Sequence, residues 1–150
     1  MDLSRKTNRT GEPRLSVETA ETELRRLMDF YEIGIDDAAD EEENLKTVKA
    51  GFDELLNAFR WGELETGENE KDGFHVIQHL TGKDARDIVY RELKPADAKV
   101  LTRYDRRKEG TQMTMDLMGR LSGIGADAMW TLKGQDKTNM AALAMCFMMA

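Results

Sequence analysis

Residues 74–97, FHVIQHLTGKDARDIVYRELKPAD, decide how this chain folds. Phe74, Val76, Gln78 and Leu80 fall on one side of an extended chain, and His75, Ile77 and His79 fall on the other, which is the period of two that a strand requires. The turn-forming TGKDA separates this strand from RDIVYRELK, a second strand, and the stretch upstream, GELET followed by the turn-rich GENEKDG, reads as a further one. The result is a small antiparallel meander of two or three strands. An isolated hairpin is marginal in water, so one of its faces must lie against helices.

Helices are predicted on both flanks. Upstream, Ser16 is an N-cap for a stripe of Val17, Ala20, Leu24, Leu27 and Tyr31, with Gly34 as a left-handed stop. The acidic run DDAADEEEN complements a helix N-terminus and feeds a second helix with Leu45, Val48, Phe52, Leu55, Leu56 and Phe59 on one face, ended by Gly62. Neither helix can bury its stripe alone, so the two form an antiparallel pair. Downstream, Pro95 suits a first helical position because its missing N–H would be unpaired there anyway. Ala98, Leu101 and Tyr104 follow, then a charged break, DRRKEG. Thr111 caps a helix with Met113, Leu117, Met118 and Leu121, stopped at Gly123; a short piece over Ala126 to Leu132 leads to a last helix from about Gln135. The fold class is therefore α+β: residues 1–14 a disordered arm, 15–62 an acidic helical pair, and 63–150 the meander with C-terminal helices, with 15–150 one compact unit.

At 150 residues the chain can bury a core without a disulfide or metal staple. Its single cysteine, Cys146, has no internal partner, which suits a reducing compartment. The N-terminus lacks the apolar stretch of a secretory signal, and the apolar run Met140–Ala150 is well short of the ~20 residues of a membrane span, so the expectation is a cytoplasmic protein. The net charge of −7 is unevenly spread: +2 over residues 1–14, −12 over 15–73, +3 over 74–110 and zero over 111–150. The acidic half would repel a phosphate backbone, which argues against nucleic acid as the main partner.

No reaction is suggested. His75 and His79 on one strand face lie roughly 13 Å apart, too far to share a metal. Cys146 lies in an apolar run without a base, TGKDA lacks the spacing of a phosphate loop, and the carboxylates sit on solvated helix faces. The informative feature is methionine: eight of ten fall between Met113 and Met149. In the last helix Met140, Leu143, Ala144 and Phe147 form one face, and Ala141, Ala142, Met145, Cys146, Met148 and Met149 cover the remainder. Single methionines at helical spacing are more often core than docking surface. A helix apolar all round, however, is either enclosed or facing a partner, and methionine suits surfaces that take variable apolar partners. The expectation is an inward stripe plus an outer face covered by a client helix or a second copy. Met113, Leu117, Met118, Met129, Trp130, Met140, Met145, Met148 and Met149 are its candidate partner-binding residues.

Residues 74–149 resemble the tail assembly chaperones of contractile-tailed bacteriophages in the order and spacing of their elements. In that family a β-hairpin runs into an Arg-Glu-x-x-Pro-x-x-x-Asp-like or shorter segment, here Arg91, Glu92, Pro95 and Asp97. A helix with a Leu-x-Gly-Leu-like stop resembles Leu121-Ser122-Gly123-Ile124, and a final apolar helix after Leu-x-x-x-Asp resembles Leu132, Asp136 and the stretch through Leu143 and Phe147. The resemblance implies a non-catalytic protein that binds the tape measure protein, keeps it soluble while tail tube subunits polymerise, works in the host cytoplasm and needs no cofactor. The competing expectations are a structural tail, neck or baseplate subunit and a small acidic regulatory protein that sequesters a host protein.

Overall fold

A computed structural model describes residues 9, 11–34, 42–82 and 86–150, with the side chains of the second helix described from residue 46 onward. The acidic run before that helix, the Leu45 side chain, the last three residues of TGKDA and most of the N-terminal arm lie outside the described residues.

Two helices open the fold, α1 (Val17–Phe30) and α2 (Glu42–Arg60). Ser16 caps α1 as its position predicts, its hydroxyl accepting from the Thr19 N–H at 3.2 Å. Leu15 N–H donates to Arg60 C=O, placing the start of α1 beside the end of α2, so the pair is antiparallel. Ala20, Leu24 and Leu27 face Val48, Phe52, Leu55 and Phe59 in a common core. The left-handed residue after α1 is Glu32 (φ 54°), two positions before Gly34. Ile33 N–H reaches back to Met28 C=O at 2.8 Å, the long bond of a Schellman stop. Gly62 (φ 71°) ends α2 the same way, with Glu63 N–H on Ala58 C=O.

The meander is a three-stranded antiparallel sheet in sequence order, β1 (Leu64–Asn69), β2 (Gly73–His79) and β3 (Asp87–Tyr90). Its register pairs Thr66 with Val76 and Val76 with Tyr90, Leu64 with Gln78 and Gln78 with Ile88. Directly opposed residues share a face, so Leu64, Thr66, Phe74, Val76, Gln78, Ile88 and Tyr90 form the inner side. Glu65, Gly67, His75, Ile77, His79, Asp87 and Val89 form the outer side. Gly67 stands in a strand interior for a specific reason: a Cβ there would lie 2.6 Å from the His75 ring, which covers it.

Four helices follow, α3 (Pro95–Leu101), α4 (Arg106–Ser122), α5 (Ala126–Trp130) and α6 (Gly134–Met148). The charged stretch expected as a break before Thr111 forms a capped turn at the start of α4, and the break is present within it as a kink between two helical segments. Asp105 is the cap, its carboxylate accepting from Arg107 N–H at 3.0 Å, and Glu109 returns a carboxylate to the Asp105 N–H at 3.1 Å. This reciprocal capping outweighs the exposed run of charge. A non-helical residue, Glu109 (φ −120°, ψ 18°), marks the place where the break was expected.

The last helix, α6, contributes Met140, Leu143, Ala144, Cys146 and Phe147 to the core. The helix packs against α2 and α4, and its N-terminal turn meets the inner face of the sheet where Gln78 Nε2 donates to Asp136 C=O at 2.8 Å. No helix of the described residues is long and apolar enough to cross a membrane.

Candidate functional site

The nine residues expected to grip a partner are not one exposed face. Met113, Leu117, Met118, Met129 and Met140 are buried in the core. Met145, Met148 and Met149 are half-buried and packed against it. Trp130 alone is exposed, at 46%. The outer apolar face of the last helix is narrower than expected: α6 buries most of its apolar side chains, and its remaining strip is the exposed Lys137, Thr138 and Ala141 with the half-buried Met145, Met148 and Met149. Two glycines make this close packing possible. A Cβ on Gly51 of α2 would lie 2.5 Å from the Met145 sulfur and terminal methyl, so Met145 fills the space a side chain would need. At Gly119 of α4 a Cβ would lie 2.4 Å from the backbone of Gly125 and Ala126, so α5 folds directly onto α4.

Polar chemistry is concentrated in three clusters. The first joins the residues that carry the family resemblance. Asp97, 1% exposed, receives both Arg91 terminal nitrogens at 2.8 Å, Arg120 Nε at 2.6 Å and the Lys94 N–H at 2.9 Å. Four charged or orphan donors on one carboxylate hold it ionised, and the Arg91 fork with the Arg120 and Lys94 bonds keeps its pKa well below the usual carboxylate range despite the opposing effect of burial. The segment thus clasps the end of β3, the start of α3 and the last turn of α4. Pro95 lies within it at the helix start.

The second cluster is buried behind the sheet. Tyr90 hydroxyl donates to Gln78 Oε1 at 2.7 Å, and Gln78 spends its amide on Asp136 C=O. The Asp136 carboxylate accepts from the Thr81 N–H and hydroxyl, each at 2.9 Å. In the third, Glu63 accepts from Asn139 Nδ2 at 2.9 Å and from Arg9 at 2.8 and 3.0 Å, tying the α2–β1 junction to α6 and to a residue of the N-terminal arm. Sequence reasoning missed these two clusters, although Gln78 standing among Phe74, Val76 and Leu80 on the inward side was a readable sign of a buried polar group.

On the outer face His79 lies between two carboxylates, Nδ1 to Asp87 at 2.6 Å and Nε2 to Glu65 at 2.8 Å. Burial alone would lower its pKa, but the hydrogen bonds and charges of Asp87 and Glu65 outweigh this and raise it. His75 is apart from it, its Nδ1 3.0 Å from Gly73 C=O. Cys146 is buried, and desolvation pushes its thiol up to about 12, so the nucleophilic thiolate is scarce at neutral pH. Among the described residues no group of three or more His, Cys, Asp or Glu side chains could hold a metal ion.

The surface carries few large apolar side chains. Among the described residues Val17, Phe30, Ile124 and Trp130 are the exposed ones. Phe30 stacks on Phe74 with ring centroids 4.4 Å apart and borders a shallow groove with Tyr31, Leu93 and Pro95. Ile124 borders a second groove along β3. No protein-family model, curated protein or solved structure matches the chain.

Proposed function

We propose that this chain is an assembly chaperone of the bacteriophage tail type, which holds the tape measure protein soluble in the host cytoplasm until the tail tube encloses it. The observation that carries this reading is the Asp97 clasp. Arg91 and Asp97, which bear the resemblance with Pro95 between them at the helix start, act together with Arg120, two residues before the Ser122-Gly123 stop. A motif whose members lock one another has a physical reason to recur at that spacing. The order of elements, a strand pair, a proline-started helix and a glycine-stopped helix before an apolar last helix, supports the same reading.

The grip on the client is smaller than the methionine count suggests. Trp130 is its exposed anchor, and the half-buried Met145, Met148 and Met149 are the adaptable remainder. The −12 charge of residues 15–73 keeps such a complex self-repelling. The test is co-expression with a tape measure protein. The chain should raise its soluble fraction, and Trp130→Glu, an exposed position, should remove that gain while leaving the chain folded. A client equally insoluble with and without the chain would sink the reading, and recovery of the chain in purified particles would replace it with a structural tail subunit.

A further inference from the structure

Among the described residues no strand pairs with the outer edge of β3. Leu80 N–H donates to Arg86 C=O, so in the β2–β3 ladder Arg86, Ile88 and Tyr90 point their backbone groups at β2. The alternation is consistent on both sides: Glu92 N–H turns inward to Asp72 C=O, and on β2 the His79 N–H turns the other way, to Glu63 C=O. Asp87 and Val89 therefore aim their N–H and C=O groups away from the sheet. The next outward group along the strand, the Arg91 N–H, is already taken by Leu121 C=O at 3.1 Å, which closes that end of the row. Beside Asp87 and Val89 lies a groove of about 380 Å³, floored by β3 and walled by residues 120–124, with Ile124 44% exposed on its rim.

We infer that this groove takes an extended acidic segment of another polypeptide, which adds to β3 as a fourth strand. Two features select this occupant. The free backbone groups match a strand and no side-chain ligand, since two alternate residues present two donors and two acceptors at strand spacing. The charge around them is positive: Lys71, Arg86, Arg91 and Arg120 line the groove against Asp72 and Asp87. Asp87 already serves His79, and Asp97, which pairs with both Arg91 and Arg120, sits behind them. One positive charge remains after all three carboxylates are set against the four cations, and a segment with carboxylates flanking its apolar residues fits it. The edge has four residues, so the added strand is short. This docking does not require the chain to be a tail chaperone.

The probe is a fluorescein-labelled octapeptide of alternating Val and Glu, with a Val/Lys counterpart and a version N-methylated at alternate residues. The acidic peptide should bind the full chain and shift the amide resonances of Asp87 and Val89. The lysine peptide should bind ~10-fold or more weakly, and N-methylation on the edge-facing nitrogens should abolish binding. Val89→Pro removes one outward N–H at a position where an edge strand tolerates proline, and should abolish binding too. In case that variant does not fold, Lys71→Glu with Arg86→Glu alters only exposed side chains and should reverse the preference toward the lysine peptide. The inference is overturned if no peptide binds, if binding persists after N-methylation, or if the resonances that move belong elsewhere. A peptide-free dimer that Val89→Pro turns into a monomer would also overturn it, by showing a second copy on the edge.

Discussion

Arg120 Nε in the last turn of α4 lies 2.6 Å from Asp97 Oδ1 at the start of α3, and the same carboxylate carries the Arg91 fork. Asp97→Asn keeps the shape but removes the charge that both guanidinium groups need. We expect a loss of about 2–4 kcal/mol, less than for a fully buried pair because Arg91 and Arg120 keep part of their surface in water. The pH dependence follows from the depressed pKa. Asp97 contributes its stability in full above the ordinary carboxylate range, and loses it as the pH falls from there through the lower folded value. Urea midpoints of wild type and Asp97→Asn should therefore converge at strongly acidic pH, and a constant gap down to that range would refute the assignment.

His79 titrates with the opposite sign. Its folded pKa is raised by Asp87 and Glu65, so the imidazolium clasp across the three strands is fully present below the unfolded value of about 6.5. It is lost as the pH rises through the higher folded value. The site is a third exposed, so the effect is small. NMR titration should give His79 a pKa above the usual histidine range, and Asp87→Asn with Glu65→Gln should bring it back or below. A wild-type value at or under 6.5 would contradict the geometry.

Glu32 sits at φ 54°, where a side chain costs roughly 1 kcal/mol. Its role is to turn the chain so that Ile33 can bond back to Met28, a task glycine performs without that cost. Glu32→Gly should raise the thermal midpoint, equivalent to a gain of about 0.5–1 kcal/mol. A lower midpoint would mean that the Glu32 side chain makes a contact worth more than the strain.

Much of this fold was legible. Alternation in 74–80 placed β2 and its two faces, and Ser16, Pro95 and Gly123 marked helix ends by backbone chemistry that acts locally. The start of α4 was hidden because Asp105 and Glu109 cap each other across a run of charge that reads as a break. The exposure of the methionines was hidden for a different reason. How much of these side chains is buried depends on how closely α2 approaches α6 and on how α5 folds over α4, and both are set by glycines, Gly51 and Gly119, that carry no apolar signal. Asp97 belongs to a spacing visible in the sequence, but its partner Arg120 lies 23 residues away and no local pattern joins them.

Gly119 and Gly110 on the same helix separate close approach from helix propensity. Each lacks a side chain, and alanine at either would normally gain about 0.5–1 kcal/mol in a helix interior. Gly110 has nothing within 4 Å of a would-be Cβ but stands beside the non-helical Glu109 rather than in a helix interior, so Gly110→Ala should change stability by less than about 0.5 kcal/mol. At Gly119 the Cβ would meet backbone atoms of Gly125 and Ala126 at 2.4 Å, and backbone, unlike the end of a flexible side chain, cannot step aside. Relief requires moving α5 off α4, which would pull Met129 from the core, where it lies 3.8 Å from the Tyr90 hydroxyl. Gly119→Ala should therefore cost about 2–4 kcal/mol, in the range of overpacked and partly emptied cores. It should also expose Met129 to oxidation by hydrogen peroxide, read by peptide mass, while Gly110→Ala leaves it protected. Equal stability in the two variants would mean that α5 is not seated on α4 as described.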